Sequence, residues 1–312
     1  MAHPSRGRSF RLPPAPTGGD GVADPHRRAV SVDLRRPAWL MKGGLLDPAT
    51  APVRETIRKG GLATVCSSAR CPNRGECFAA GTATFMILGE RCTRACGFCA
   101  VTTGAPEGVE SDEPQRVAAA AKELGLTHVV VTSVTRDDLP DGGAGHFVAT
   151  IKALRETLPS STVEVLTPDF GGKWPAVDAV VDARPDVYNH NVETVPRLYR
   201  TVRPGAVYER SLGLLAHVKE RATTMTVKSG IMVGLGETAE EVAATLADLK
   251  GHGVDWVTIG QYLRPTRENL PVVEYVRPER FEEYRQLGER LGIATVQSAP
   301  YVRSSYHAAA RA

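Results

Sequence analysis

Cys66, Cys71, Cys77, Cys92, Cys96 and Cys99 are all the cysteines in a chain of 312 residues, and they fall in two groups of three. Thiolates are soft donors, and two triplets packed into residues 66–99 read as two metal centres. The second, Cys92-Thr-Arg-Ala-Cys96-Gly-Phe-Cys99, has gaps of three and then two residues. Three thiolates on a cube of four irons leave one iron without a cysteine, and an open iron is a binding site. This triplet therefore reads as chemical rather than structural. The competing reading is structural zinc, which usually takes two close pairs or four ligands in all and suits this run poorly. The first triplet, with gaps of four and five residues, could on its own be a zinc loop.

Composition narrows the setting. Hydrophobic residues make up 42% of the chain and charged residues 23%, the profile of a globular protein able to bury a sizeable core. The net charge of +3 is unevenly placed: residues 1–43 hold eight Arg or Lys against three Asp, and the remainder is slightly acidic. Nothing in that balance points to nucleic acid. No apolar run approaches the ~20 residues that span a bilayer, and the N-terminus has Arg and Pro where a signal peptide needs an apolar stretch. Clustered cysteines without a secretory signal fit a reducing, cytoplasmic setting. An Arg-rich, acid-poor start overlaps with mitochondrial transit peptides. Pro13, Pro14, Pro16 and nearby glycines oppose the helix such a peptide needs, so residues 1–30 read as a disordered extension.

The elements that must hold these cysteines begin at residue 84. Apolar, β-branched runs occur at Thr84–Leu88, His128–Val134, Val163–Leu166, Val187–Tyr188, Val227–Val233 and Trp256–Gln261. Helical spacing is read at Glu113–Leu124, Phe147–Leu158, Val195–Val202, Glu209–Arg221, Glu240–Lys250 and Glu279–Leu291. Thr238-Ala-Glu-Glu241 reads as a capping box. Six strand–helix units in series imply parallel strands with right-handed crossovers. They leave a barrel open on one side, an open partial (β/α)6 barrel, although periodicity alone also allows an open doubly wound sheet. In both, the chemistry sits past the strands' C-terminal ends, where the second triplet falls. The first triplet reads as a loop dense with breakers, Pro72, Asn73 and Gly75 among them.

Cys-x3-Cys-x2-Cys after an apolar strand, with Phe98 before the last cysteine, resembles the signature of radical S-adenosylmethionine enzymes. The preceding Cys66-x4-Cys71-x5-Cys77 narrows the likeness: the pair resembles the lipoyl synthase family. Arg303-Ser304-Ser305-Tyr306 matches that family's C-terminal motif. Val131–Leu139, Tyr188–Glu193, Lys228–Glu237 and Gln261–Thr266 also look like family text, so the likeness covers nearly all of residues 35–308. It implies two [4Fe-4S] clusters and S-adenosylmethionine as cofactors. Cys92, Cys96 and Cys99 would hold the cluster that cleaves S-adenosylmethionine. Cys66, Cys71 and Cys77, with a serine oxygen placed on Ser305 rather than Ser304, would hold an auxiliary cluster that gives up sulfur. The implied reaction inserts sulfur at C6 and C8 of an octanoyl group carried on a lysine, and consumes one S-adenosylmethionine per hydrogen removed. Implied partners are octanoylated lipoyl carrier domains (2-oxoacid dehydrogenase E2 subunits and glycine cleavage H protein), a low-potential donor such as ferredoxin or flavodoxin, and an iron–sulfur carrier protein.

The domain scheme that follows is an extension (1–30), an N-terminal segment with the auxiliary cysteines (31–80), the partial barrel (81–293) and a C-terminal segment (294–312), with both segments closing around the clusters. For S-adenosylmethionine, Asn191, Glu193, Gly234 and Gly236 lie past strand ends, though asparagine, glutamate and a lone Gly-x-Gly often serve loops alone. Lys228 or Arg203 could meet its carboxylate. Arg70, Arg74, Arg91 and Arg94 flank cysteines and would raise a cluster's potential, or lie solvated. A methylthiotransferase-like or biotin-synthase-like enzyme also pairs two clusters. The auxiliary triplet just ahead of the radical motif, the C-terminal Ser-Ser and the lack of a nucleic-acid-binding appendage argue for the first reading.

Overall fold

The structure is a computed structural model and describes residues 34–41, 47–306 and 308. The expectation for residues 1–30, and parts of those for 31–80 and 294–312, lie outside the described residues. The described residues form a single compact unit.

The sheet contains strands β1 (Ala63–Thr64), β2 (Thr84–Ile87), β5 (His128–Ser133), β6 (Thr162–Leu166), β7 (Val187–Asn189), β8 (Thr226–Val233), β9 (Trp256–Gln261) and β10 (Thr295–Ser298), hydrogen-bonded in that order. The pair β3 (Arg91–Cys92) and β4 (Thr102–Thr103) stands apart. All pairings in the sheet are parallel except β1 with β2. Spatial order follows chain order with no reversal, so the doubly wound alternative falls: that fold requires a switch point where the order turns back. Among the described residues β1 and β10 do not meet, and the barrel is open.

The six expected strands are all present. They read clearly because parallel strands covered on both faces are near-continuous apolar runs; Val129, Val131, Val163, Val165, Val227 and Val257 are fully buried. The covering helices include α4 (Glu113–Glu123), α5 (Ala144–Thr157), α8 (Tyr208–Arg221), α9 (Ala239–Gly251) and α10 (Pro278–Arg290). In α9 both bonds of the expected capping box form, between Thr238 and Glu241.

Three corrections follow. Of the first triplet only Cys71 lies in the breaker-rich loop: Cys66 stands in α2 (Val65–Ser68) and Cys77 in α3 (Arg74–Ala79), preceded by α1 (Ala51–Lys59). Thr64 caps α2 through its hydroxyl, and the breakers Pro72 and Asn73 separate the two turns rather than dissolving them. A further helix, α6 (Trp174–Asp182), joins β6 to β7, with Pro175 at its start and Ala176, Val177, Val180 and Val181 buried. The helix expected over 195–202 divides into a 3₁₀ turn at Pro196–Leu198 and α7 (Tyr199–Val202).

The segment that carries the first triplet and the segment that follows β10 meet at the C-terminal edge of the sheet. Asn73 donates to the Tyr301 carbonyl at 2.7 Å, and Tyr306 donates to Glu76 at 2.7 Å. The returning segment crosses β9 so closely that a Cβ on Gly260 would stand 2.1 Å from the Val302 carbonyl oxygen. Glycine there is what lets the final residues reach the site.

Candidate active site

A cavity of about 340 Å³ opens at the strands' C-terminal ends, and Cys66, Cys71, Cys92, Cys96 and Cys99 line it together with Ser304 and Ser305. Cys77 sits in α3 alongside and is not part of its wall. Much of the remaining wall is apolar, from Met86, Val134, Leu166, Ile231, Met232 and Val302.

The second triplet leaves β2 through β3. Thr135 and Arg94 donate their backbone N–H groups to the Cys92 sulfur at 3.3 and 3.5 Å. The Cys96–Cys99 turn is held from outside. Gly97 donates to the Val202 carbonyl and accepts from the Leu270 N–H, both at 2.9 Å, while Asn269 donates to the Cys99 carbonyl at 2.7 Å. Phe98 packs with Val202, Tyr262 and Val272. A Cβ on Gly97 would stand 2.8 Å from Leu270 Cδ1 and 3.2 Å from the Thr201 carbonyl oxygen. Gly97→Ala is therefore expected to cost about 1–3 kcal/mol and to lower iron bound at the second triplet alone, measurable by iron analysis after reconstitution.

Burial pushes the thiols up: Cys66 to about 11, Cys99 to about 12, and Cys96 upward against the pull of the Arg203 charge. As free groups these are protonated, and a bound metal's charge is what would offset burial and release the protons. Three thiols per triplet suit a cluster, which distributes its ligands over separate irons, better than zinc, whose structural sites take four ligands. The donor set thus fits two iron–sulfur clusters.

The two serines face different ways. Ser305 Oγ accepts from the Thr84 hydroxyl at 2.7 Å. Thr84 also sits against the Cys66 thiol and eases the upward push of burial on it, so Ser305 lies with the first triplet. Ser304 Oγ accepts from Asn191 Nδ2 at 2.6 Å, and the same amide donates to Glu193 at 3.1 Å. Asn191, Glu193 and Arg203 form one polar wall beside Cys96. Burial pushes the Glu193 carboxyl above its ordinary range, with Arg203 opposing. Glu193 holds φ +66°, a left-handed backbone uncommon for glutamate and typical of a functional constraint. Buried Asn191 Oδ1 and Ser133 Oγ have no hydrogen-bond partner among the described residues.

Other expected site residues lie elsewhere. Gly234 and Gly236 do not line the cavity. A Cβ at Gly234 would meet Gln261 Nε2 at 2.2 Å and the Glu274 carbonyl at 2.5 Å, so its close approach is to this chain's own backbone and not to a ligand. Of the two basic candidates, Lys228 is fully buried against Glu164 at 2.9 Å, away from the cavity. Arg203 lines it, anchored through Nη1 to the Asn191 and Val192 carbonyls and the Tyr199 hydroxyl. Arg94 is offset by carboxylates on both sides, Asp137 at 2.8 Å and Asp169 at 2.7 Å. Burial works against Asp169, yet Arg94 draws it down to about 2. His190 spends both ring nitrogens on the Thr167 carbonyl and Ser211. Thr84 and Asn269 belong to the site but carry no local signal of it in the sequence, whereas Ser133, Thr135 and Arg303 lie in segments read above only for their family likeness.

Comparison with known proteins identifies the arrangement. The Radical SAM superfamily pattern matches residues 86–261. A lipoyl synthase of Rubrobacter xylanophilus is 56% identical over 273 residues, covering 88% of this chain and 85% of that protein. One from Caldanaerobacter subterraneus subsp. tengcongensis is 57% identical over 275 residues, covering 88% and 96%. The chain belongs to the lipoyl synthase family. Among solved structures, Streptococcus suis SuiB bound to its precursor peptide SuiA aligns with TM-score 0.53 and 13% identity, over 69% of this chain and 48% of that one. Methylornithine synthase (PylB) aligns with TM-score 0.50 and 15% identity, over 70% and 72%. At such identities these two speak to fold alone, and they agree with the open, mostly parallel sheet. Among the described residues of this family member no helix is long and apolar enough to cross a membrane.

Proposed function

We propose that this chain is a lipoyl synthase, a radical S-adenosylmethionine sulfurtransferase that places two sulfur atoms at C6 and C8 of an octanoyl group on a carrier-domain lysine. When bound, two [4Fe-4S] clusters and S-adenosylmethionine supply a radical able to take hydrogen from unactivated carbon, together with the sulfur that replaces it. Cys92, Cys96 and Cys99 hold the cluster that meets S-adenosylmethionine, with Asn191, Glu193 and Arg203 as its polar anchors. Cys66, Cys71, Cys77 and Ser305 hold the sulfur-donating one. The observation that carries the reading is convergence: cysteines of both triplets and Ser305 face one cavity that has an apolar stretch of wall beside the polar one. Met86, Leu166 and Ile231 would give an eight-carbon chain an apolar wall within reach of cysteines of both triplets. A serine oxygen is a harder ligand than thiolate toward iron and gives the donor cluster one weak corner.

Partners on this reading are octanoylated E2 domains and H protein, a ferredoxin or flavodoxin as low-potential donor, and an iron–sulfur carrier that restores the spent cluster. The setting is cytoplasmic. The test is anaerobic reconstitution followed by octanoylated carrier peptide, S-adenosylmethionine and reductant. Thiolated peptide with two 5′-deoxyadenosines per lipoyl group is expected. Absence of both products contradicts the assignment.

A further inference from the structure

Thr84 is the first residue of β2, is almost fully buried, and is bonded to the C-terminal segment at the site. Its hydroxyl reaches Ser305 Oγ at 2.7 Å across 221 residues of sequence. Thr84 and Cys66 both line the cavity. Cys66 itself sits in α2, one short turn beyond β1, and β1 pairs with β2. Thus Thr84 lies beside the serine proposed to complete the ligand set of the first triplet, on the strand that pairs with β1 just ahead of Cys66. Ser304 is held instead by Asn191, so of the two serines Ser305 is the one bonded to Thr84.

We infer that Thr84 is a positioning residue for the serine corner of the sulfur-donating cluster: its hydroxyl aims Ser305 Oγ and stabilises it as an iron ligand. The inference rests on the reading of Cys66, Cys71, Cys77 and Ser305 as that cluster's ligands. The chemistry is that of a hydrogen bond to a charged acceptor. A serine oxygen binds iron as an alkoxide, and a donor strengthens its bond when the acceptor gains negative charge. Thr84 therefore favours the ligated oxygen over the free hydroxyl. Groups that orient a metal's ligands in this way typically change metal affinity by ~10–100-fold when removed. The strand itself does not need the hydroxyl, since valine has the same branching and suits a buried parallel strand.

The experiment uses full-length protein carrying Cys92→Ala, Cys96→Ala and Cys99→Ala, so that only the first triplet can hold a cluster. It is reconstituted anaerobically with ⁵⁷Fe. Thr84→Val, Thr84→Ser, Ser304→Ala and Ser305→Ala are then added one at a time. Iron loss to a chelator and the Mössbauer signal of the oxygen-bound iron are read for each. Thr84→Val is expected to release one iron ~10-fold faster and to alter that iron's signal alone. Thr84→Ser and Ser304→Ala should match the parent, and Thr84→Val should add nothing to Ser305→Ala. A Thr84→Val protein that matches the parent, or a Thr84→Ser protein that does not rescue, overturns the role of Thr84 while leaving the cluster assignment standing. A parent that binds no iron overturns the cluster assignment, and the inference with it.

Discussion

Alanine at Cys66, Cys71 and Cys77 together is expected to reduce thiolated product to below roughly a thousandth of the parent's, while 5′-deoxyadenosine still forms from S-adenosylmethionine. Alanine at Cys92, Cys96 and Cys99 is expected to abolish both. The asymmetry follows from the geometry. The second triplet has its own supports, the Thr135 and Arg94 N–H groups on Cys92 and Asn269 on the Cys99 carbonyl, none of which comes from α2 or α3. The first triplet has different ones: Thr84 at Cys66, and the Asn73–Tyr301 bond that ties its turn to the C-terminal segment. Each centre can then be emptied without dismantling the other. Ser305→Ala belongs with the first triplet and is expected to lose sulfur insertion while keeping 5′-deoxyadenosine formation. Ser304→Ala removes only an acceptor for Asn191 and should retain product. The measurement is product analysis by mass spectrometry beside a count of iron for each variant. Loss of 5′-deoxyadenosine on removing the first triplet would mean that the two centres are not separable in this way.

Lys228→Met is expected to destabilise the fold by about 3–5 kcal/mol, the cost of breaking a buried ion pair on one side. Lys228 and Glu164 have no exposed side-chain surface, and Nζ stands 2.9 Å from the carboxylate and 3.8 Å from the centre of the Trp256 ring. Burial alone would raise the Glu164 carboxyl, but the Lys228 ammonium and the His128 contact hold it below its ordinary range. Without Lys228 a carboxylate is left in the sheet interior with only His128 and Asn189 beside it. Replacing both members, Glu164→Leu with Lys228→Met, should recover much of the loss, because an apolar pair of similar volume removes the charge along with its partner. Denaturant unfolding of the three variants measures this. A single-variant loss under about 1 kcal/mol would show that water reaches the pair.

What the chain discloses before folding depends on how local the signal is. Ligand type and spacing are local, so both cysteine triplets could be read directly. The strands were legible because valine-rich runs buried on both faces leave little alternative. The seventh parallel strand, Thr295–Ser298, has only Val296 buried among its four residues and gives no such run. Helix α6 did carry a signal, Pro175 at its start followed by apolar residues one and four apart, but it is short and its cap at Lys173 makes no side-chain hydrogen bond. Contacts that close the site are long-range. Thr84 meets Ser305, Asn191 meets Ser304 and Asn73 meets Tyr301 only after the C-terminal segment crosses Gly260, and no window of sequence contains both partners. Lys228 and Arg203 were equivalent as cations in the sequence. What separates them is depth: one lies in the sheet beside Glu164, the other past a strand end on the cavity wall.

The central claim is that sulfur reaching the substrate comes from the cluster held by Cys66, Cys71, Cys77 and Ser305. Protein reconstituted with ³⁴S-sulfide, freed of unbound sulfide and given one turnover with octanoylated carrier peptide tests it most directly. Lipoyl product carrying ³⁴S at both positions is the result the structure leads us to expect. Product with unlabelled sulfur at either carbon would contradict it.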